Sequence, residues 1–230
     1  MVRLGIIGDY NQTSETHRAT DACIALASAR LRSNVRSEWL PTNSLPNTDL
    51  HTFDAYIVNT GVYENRDAVL KALRVLREKS IPTLATCGGF QHMIIEYVHN
   101  VLGLEHLGHA EFDPTTREHI ITPLACSLRG LEGEISLLPD SIVGRLYERA
   151  LTTEKFYCSF GLNPQHRQAL SNSPLRIVGH DGEGQVRMTE LPTHPFYIGT
   201  LFVPQARALR GESHPLIEGL IVNAARKNRI

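Results

Sequence analysis

Along the first hundred positions, short unbroken apolar runs alternate with stretches of helical period. Val2 to Gly8 reads as a buried parallel strand, and Thr16 to Leu31 as a helix with Ala19, Ala22, Cys23, Leu26 and Ala27 on its apolar face. Trp39-Leu40 reads as a second short strand, followed by a Pro/Asn-rich connection from Pro41 to Asp49. Ala55 to Val58 is the next strand, and Arg66 to Lys79, with Val69, Leu70, Leu73, Val75 and Leu76 apolar, the next helix. A strand at Pro82–Ala85 then breaks at Thr86-Cys87-Gly88-Gly89 and continues into a helix over Phe90–Val98. This alternation predicts an α/β fold, a doubly wound and mostly parallel sheet with flanking helices, whose ligands sit beyond the carboxyl ends of the strands. Gly8, Gly61 and Cys87 fall on that edge.

Beyond Gly103 the pattern changes to short strand-like segments split by Pro, Gly and Asn: Ile120–Leu124, Leu131–Leu137, Phe156–Gly161, Leu175–His180, Gln185–Glu190 and Tyr197–Val203. A helix is expected at Ser141–Arg149 and another over His214–Arg229, with Leu216, Ile217, Leu220, Ile221 and Ala224 on one face. With 230 residues, 42% of them hydrophobic, a single domain over 1–230 is expected. The net charge of −1 gives no reason to expect a nucleic-acid or anionic-membrane partner. Basic clusters such as Arg30-Leu31-Arg32 and Arg226-Lys227-Asn228-Arg229 read as solvated helix faces. No stretch approaches the length of a membrane span, and the first apolar run is too short for a signal segment, so a cytoplasmic protein is expected.

The chemistry concentrates at Cys87. A thiol on a tight strand-to-helix turn is lifted clear of the sheet in a nucleophile elbow, with two glycines leaving room for a substrate beside it. The positive end of the helix dipole favours its thiolate, and the Gly88 N–H would face an oxyanion on an attacked carbonyl. The alternative is a buried structural cysteine. Cys23, Cys87, Cys126 and Cys158 contain no CxxC pair, so neither a zinc ribbon nor a disulfide framework is suggested. His92, His99 and His106 recur every seven residues, a spacing too long for one metal ion on one helix. No metal or other cofactor is expected.

Several segments together resemble the class I glutamine amidotransferases and, within them, the glutaminase domains of CTP synthases. Leu4 to Tyr10 is similar to that domain's first strand and loop, and Ala85-Thr86-Cys87-Gly88-Gly89-Phe90-Gln91 to its G-I-C-L-G-M-Q turn. Ala110-Glu111-Phe112 matches its T-E-F, and Gly211 to Leu216 its D-G-H-P-L-F. The family hydrolyses the glutamine side-chain amide through a Cys-His-Glu triad and a glutamyl thioester. The resemblance implies Cys87 as nucleophile, Gly61 and Gly88 as oxyanion amides, and Gln91 and Glu111 as holders of the amino-acid part of the ligand.

Departures from the family pattern bear on function. Its Q-F-H-P-E-F reads here Leu201-Phe202-Val203-Pro204-Gln205-Ala206, so the resemblance puts Val203 and Gln205 where the catalytic His and Glu stand. Positioned proton transfer contributes ~10²–10⁴-fold, and valine cannot supply it. The family's R-H-R-Y-E-V-N reads Tyr157-Cys158-Ser159-Phe160-Gly161-Leu162-Asn163, which removes the arginine that clamps the α-carboxylate; a neutral Ser159 is no substitute for a bidentate charged pair. The P-G-G-F-G loop is weakened to Asn59-Thr60-Gly61-Val62-Tyr63. Only four lysines and no GxxxxGK[ST] loop are present, and no amidoligase domain is expected.

Three readings stay open. One keeps the fold and pocket thiol for thiol-based or altered-substrate chemistry, with Cys158, unless it is mere filler, facing Cys87. The second is a working glutaminase, supplying ammonia for CTP synthesis, whose base is His92, His109 or His194, the last being the best placed. The third is a non-catalytic ligand-binding or regulatory subunit. The expected ligand is glutamine or a related amino acid or amide, with a synthase chain as a partner and homo-oligomers both open.

Overall fold

The computed structural model describes residues 1–227. Its first half builds as the apolar runs predict: β1 (Val2–Ile7), α1 (Glu15–Leu31), β2 (Val35–Leu40), β3 (Ala55–Val58), α2 (Arg66–Glu78), β4 (Thr83–Thr86) and α3 (Gly88–Asn100). Both long helices are started by side chains: Ser14 caps α1 by accepting from His17 N, and Asn65 caps α2 by accepting from Ala68 N. The second half adds β5 (Gly108–His109), β6 (His119–Pro123), β7 (Glu132–Leu137), α4 (Ile142–Tyr147), β8 (Leu151–Lys155), β9 (Phe160–Leu162), α5 (Arg167–Ser171), β10 (Arg176–His180), β11 (Val186–Glu190), β12 (Tyr197–Thr200) and α6 (Pro215–Lys227).

Nine strands form one sheet in the order β2-β1-β3-β4-β12-β11-β10-β7-β8, and β5, β6 and β9 form a smaller one. The pairs from β2 through β4 to β12 are parallel, and those from β12 to β8 antiparallel. The predicted doubly wound block is therefore one half of a mixed sheet. β3, β4 and β12 are buried along their whole length, which requires a layer on each face. α1 packs with α6, and α2 with α3.

Some expectations are corrected. The segment expected as one strand from Phe156 to Gly161 is instead the loop between β8 and β9, with only Phe160 and Gly161 in β9; β5, β8 and α5 lie outside every predicted segment. The Pro/Asn-rich connection from Pro41 to Asp49 includes a 3₁₀ helix over Thr42–Asn47. The helix expected over His214–Arg229 is described only to Lys227, and Asn228 and Arg229 lie outside the described residues.

The topology sets β3, β4 and β12 side by side with their carboxyl ends on one edge, and α3 rises from that edge directly after β4.

Candidate functional site

Cys87 occupies the single residue between β4 and α3, at φ +52° and ψ −108°, in a region that L side chains rarely adopt. Such a conformation costs on the order of 1–3 kcal/mol and persists only where its surroundings fix it. Its N–H donates to Thr200 O at the end of β12 (2.8 Å), and its C=O accepts from Gln91 N in the first turn of α3 (3.1 Å).

The two glycines serve packing of backbone on backbone rather than room for a substrate. A Cβ on Gly88 would stand 2.6 Å from Gly61 O, and one on Gly89 only 2.1 Å from Val58 O. Their absence lets α3 abut the end of β3, and so brings the Gly61 segment against the start of the helix.

Cys87 and Cys158 line one cavity of about 350 Å³, together with Gly61, Gly88, Gln91, Glu111 and Ser159. All four cysteines are free thiols. The Cys87 thiol is held below its ordinary value, first by a hydrogen bond with the Cys158 side chain, against the opposing effect of burial. The Thr60 hydroxyl, the Gly88 N–H and the positive charge of Arg129 add to the lowering. The same pairing, with burial, pushes the Cys158 thiol well up, and Cys158 Sγ also lies 2.9 Å from Leu201 O as a donor. The groups that lower the Cys87 thiol thus include a guanidinium and no imidazole.

Val203 and Gln205 are both buried outside that cavity lining. Val203 contributes only its backbone, its N–H donating to Lys155 O (2.9 Å). Gln205 Nε2 donates to Asn59 Oδ1 (2.8 Å) and Thr86 Oγ1 (3.2 Å), while Gln205 Oε1 and Asn59 Nδ2 are left without partners.

The three histidines considered as replacement bases all lie outside the cavity lining. His194 Nδ1 accepts from Phe196 N (3.1 Å), so Nε2 carries the proton and faces Leu76 O (3.3 Å). It sits in the turn before β12, whereas Cys87 adjoins Thr200 at the strand's far end, itself roughly 10 Å from Tyr197. His109 Nδ1 accepts from Glu111 N (3.1 Å), and Nε2 donates to Gln91 Oε1 (3.2 Å). His92 Nδ1 donates to Gly88 O (2.8 Å) beneath α3, with the Tyr63 ring edge-on against it. Burial pushes His92 and His194 down to about 4 and His109 to about 3.

His109 instead fixes Gln91, whose Nε2 donates in turn to Phe160 O (2.9 Å). Both functional atoms of that amide are thus committed to the protein. Glu111 is exposed at the mouth, and among the described residues its carboxylate makes no ion pair. Ser159 Oγ pairs with Ser127 Oγ (2.9 Å).

Among the cavity residues that sequence reasoning missed are His17 and Arg129. His17 belongs to α1, with Nδ1 accepting from Asn11 N (2.9 Å) and Nε2 donating to Thr60 O (3.1 Å), so neither nitrogen offers a free lone pair to the thiol. Its place was legible only in that α1 follows β1 on the same sheet edge as Cys87. Arg129 comes from the loop between β6 and β7, which Leu124 N to Ser159 O (2.9 Å) and Leu128 N to Cys158 O (3.1 Å) tie to the Cys158 segment. It brings a guanidinium to the cavity.

Among the described residues, no group of three His, Cys, Asp or Glu is arranged to hold a metal ion, and no helix is long and apolar enough to cross a membrane.

No protein-family model matches the chain. It is 28% identical to CTP synthase of Methanopyrus kandleri over 97% of its length and 27% identical to that of Helicobacter pylori over 99%, spanning 45% and 46% of those proteins. The chain thus covers just under half the length of these relatives. The glutaminase domain of Trypanosoma brucei CTP synthase, solved with bound acivicin, superposes with a TM-score of 0.88 at 20% identity, over 98% of this chain and 94% of that one. A glutamine amidotransferase of Thermotoga maritima gives 0.61 at 11% identity, over 98% and 97%. This chain has the fold of the class I glutamine amidotransferases and is similar, along nearly all of its length, to CTP synthase.

Proposed function

We propose that this chain is a CTP synthase-related amidotransferase-like domain whose pocket takes glutamine or a related amino acid or amide and presents Cys87, at a nucleophile elbow, for covalent thiol chemistry rather than ordinary glutamine hydrolysis. The observation that carries this reading is the sulfur's surroundings. Cys158, Thr60, Gly88 and Arg129 favour its ionised form, and the cavity's imidazole, His17, has both nitrogens bonded to the backbone, leaving none to pass a proton to a leaving amine. A thiolate stabilised in this way attacks an electrophilic carbonyl, and the Gly61 and Gly88 amides are the candidates to receive the oxyanion. Collapse to a thioester with release of ammonia then lacks its acid, which is where an ordinary glutaminase gains its rate. Glu111 and Arg129, of opposite charge on the same cavity, suit the ammonium and carboxylate of an amino-acid zwitterion.

Incubation with glutamine tests this directly. The expected result is no ammonia above buffer, while a glutamine-like electrophile such as acivicin labels wild type and spares Cys87→Ala. Ammonia release that disappears in Cys87→Ala would establish the working-glutaminase reading instead.

A non-catalytic, regulatory role is the second reading, favoured by His92, His109 and His194 all lying outside the lining of the Cys87 cavity. It predicts that Cys87→Ala still binds glutamine. In a thermal-shift titration, ligand at 100 times its Kd would stabilise the variant by about 2.7 kcal/mol.

A further inference from the structure

We propose that Cys87 and Cys158 form a redox-active dithiol that reacts with hydroperoxides, Cys87 as the attacking thiol and Cys158 as the resolving one. The proposal rests on the reading of Cys87 as an ionisable, cavity-facing nucleophile, and adds to it a second sulfur and a second class of substrate.

Backbone geometry brings the two residues together independently of their titration. The N–H of Cys87 binds Thr200 O and the Sγ of Cys158 binds Leu201 O, so consecutive carbonyls at the end of β12 hold both residues (2.8 and 2.9 Å). Both line the same cavity and both are free thiols. Hydrolysis of an amide has no use for a second thiol. Two thiols on one cavity, held by adjacent carbonyls at one strand end, are in contrast placed for thiol–disulfide chemistry. The other two cysteines lack this setting. Cys23 is buried with its thiol pushed up to about 12, and Cys126 is exposed on a loop.

The chemistry closes in two steps. The Cys87 thiolate attacks the terminal oxygen of a hydroperoxide; the O–O bond breaks, the alkoxide leaves and takes up the proton the thiol had lost, and Cys87 becomes a sulfenic acid. The Cys158 sulfur then attacks the Cys87 sulfur; the S–S bond forms, the S–O bond breaks, and hydroxide leaves with the Cys158 proton as water. In sum, one hydroperoxide is reduced by two electrons to an alcohol and water while two thiols become a disulfide. A dithiol such as dithiothreitol returns the pair to its starting state by exchange. A cavity of about 350 Å³ admits hydrogen peroxide and small alkyl hydroperoxides.

The test treats folded wild-type protein with one equivalent of tert-butyl hydroperoxide, with and without dimedone, blocks remaining thiols with iodoacetamide and maps the peptides by mass spectrometry. The expected product is a Cys87–Cys158 disulfide, two hydrogens lighter than the reduced pair, reversed by dithiothreitol and insensitive to dimedone. In Cys158→Ser the expected product is a dimedone adduct on Cys87, and in Cys87→Ser no oxidation of Cys158. Wild type that accumulates the dimedone adduct without a disulfide overturns the pairing while leaving Cys87 a reactive thiol. Wild-type Cys87 that resists peroxide and iodoacetamide alike overturns both the pairing and the reading it rests on.

Discussion

At the scale of single residues, several groups acting together favour the Cys87 thiolate. Cys158 is the foremost of these, so removing its donor and keeping it have opposite consequences. Cys158→Ala is expected to move the pH midpoint of Cys87 alkylation upward, and Cys158→Ser, which retains an O–H donor, to leave it near wild type; equal profiles in the two variants would assign the lowering elsewhere. Arg129 acts at longer range and from an exposed loop, so Arg129→Ala is expected to raise that midpoint less than Cys158→Ala does, while weakening glutamine binding in a thermal-shift titration. The residue scale is also where the sequence was least explicit. Cys87 and its turn were legible because a Cys-Gly-Gly sequence between a strand and a helix has few other uses. His17 and Arg129 were not, since one is a first-turn residue of an unremarkable helix and the other depends on a loop pairing that no local pattern encodes.

At the scale of elements, the site exists because α3 approaches β3 as closely as backbone allows. Gly89→Ala places a Cβ 2.1 Å from Val58 O, and the atom it meets is main chain, which cannot step aside as a flexible side chain would. Overpacking of this kind typically costs ~1–3 kcal/mol. Urea unfolding of Gly89→Ala is expected to show a loss at the upper end of that range together with slower Cys87 alkylation; unchanged stability would mean that the helix has slack at its start. The parallel block was readable because its strands are continuous apolar runs buried on both faces, and Ala55–Val58 coincides with β3 residue for residue. β8 was not, because its inward positions are Thr152 and Glu154. Those polar groups are satisfied by a buried cluster in which Tyr147 Oη donates to Glu154 Oε1 (2.9 Å), Arg207 pairs with the same carboxylate, and His214 Nε2 lies 3.3 Å from it. A strand whose inner face is polar leaves no hydrophobic alternation to read.

At the scale of the whole molecule, buried neutral histidines tie stability to pH. His92 and His194 have folded-state values of about 4 against an ordinary 6.5, so below pH 6.5 the unfolded chain binds protons that the folded one refuses. Stability from these groups is therefore complete above pH 6.5 and lost as the pH falls toward 4, by roughly 2 kcal/mol per histidine at pH 5. Urea midpoints measured from pH 7.5 to 4.5 are expected to fall steeply below 6.5, and His194→Gln is expected to flatten that fall; a flat wild-type profile would mean that these rings are charged in the folded state. The fold and the similarity to CTP synthase describe a familiar scaffold, in which one sulfur ionises readily in a pocket whose imidazole, His17, has both nitrogens bonded to the protein. The most direct measurement is the rate of Cys87 alkylation by iodoacetamide as a function of pH, read by peptide mass spectrometry with Cys126 of the same chain as internal reference. The account predicts a midpoint for Cys87 below the ordinary thiol value of about 8.5 and, at pH 7, faster labelling than at Cys126; a midpoint at or above that value, with Cys87 the slower of the two, would contradict it.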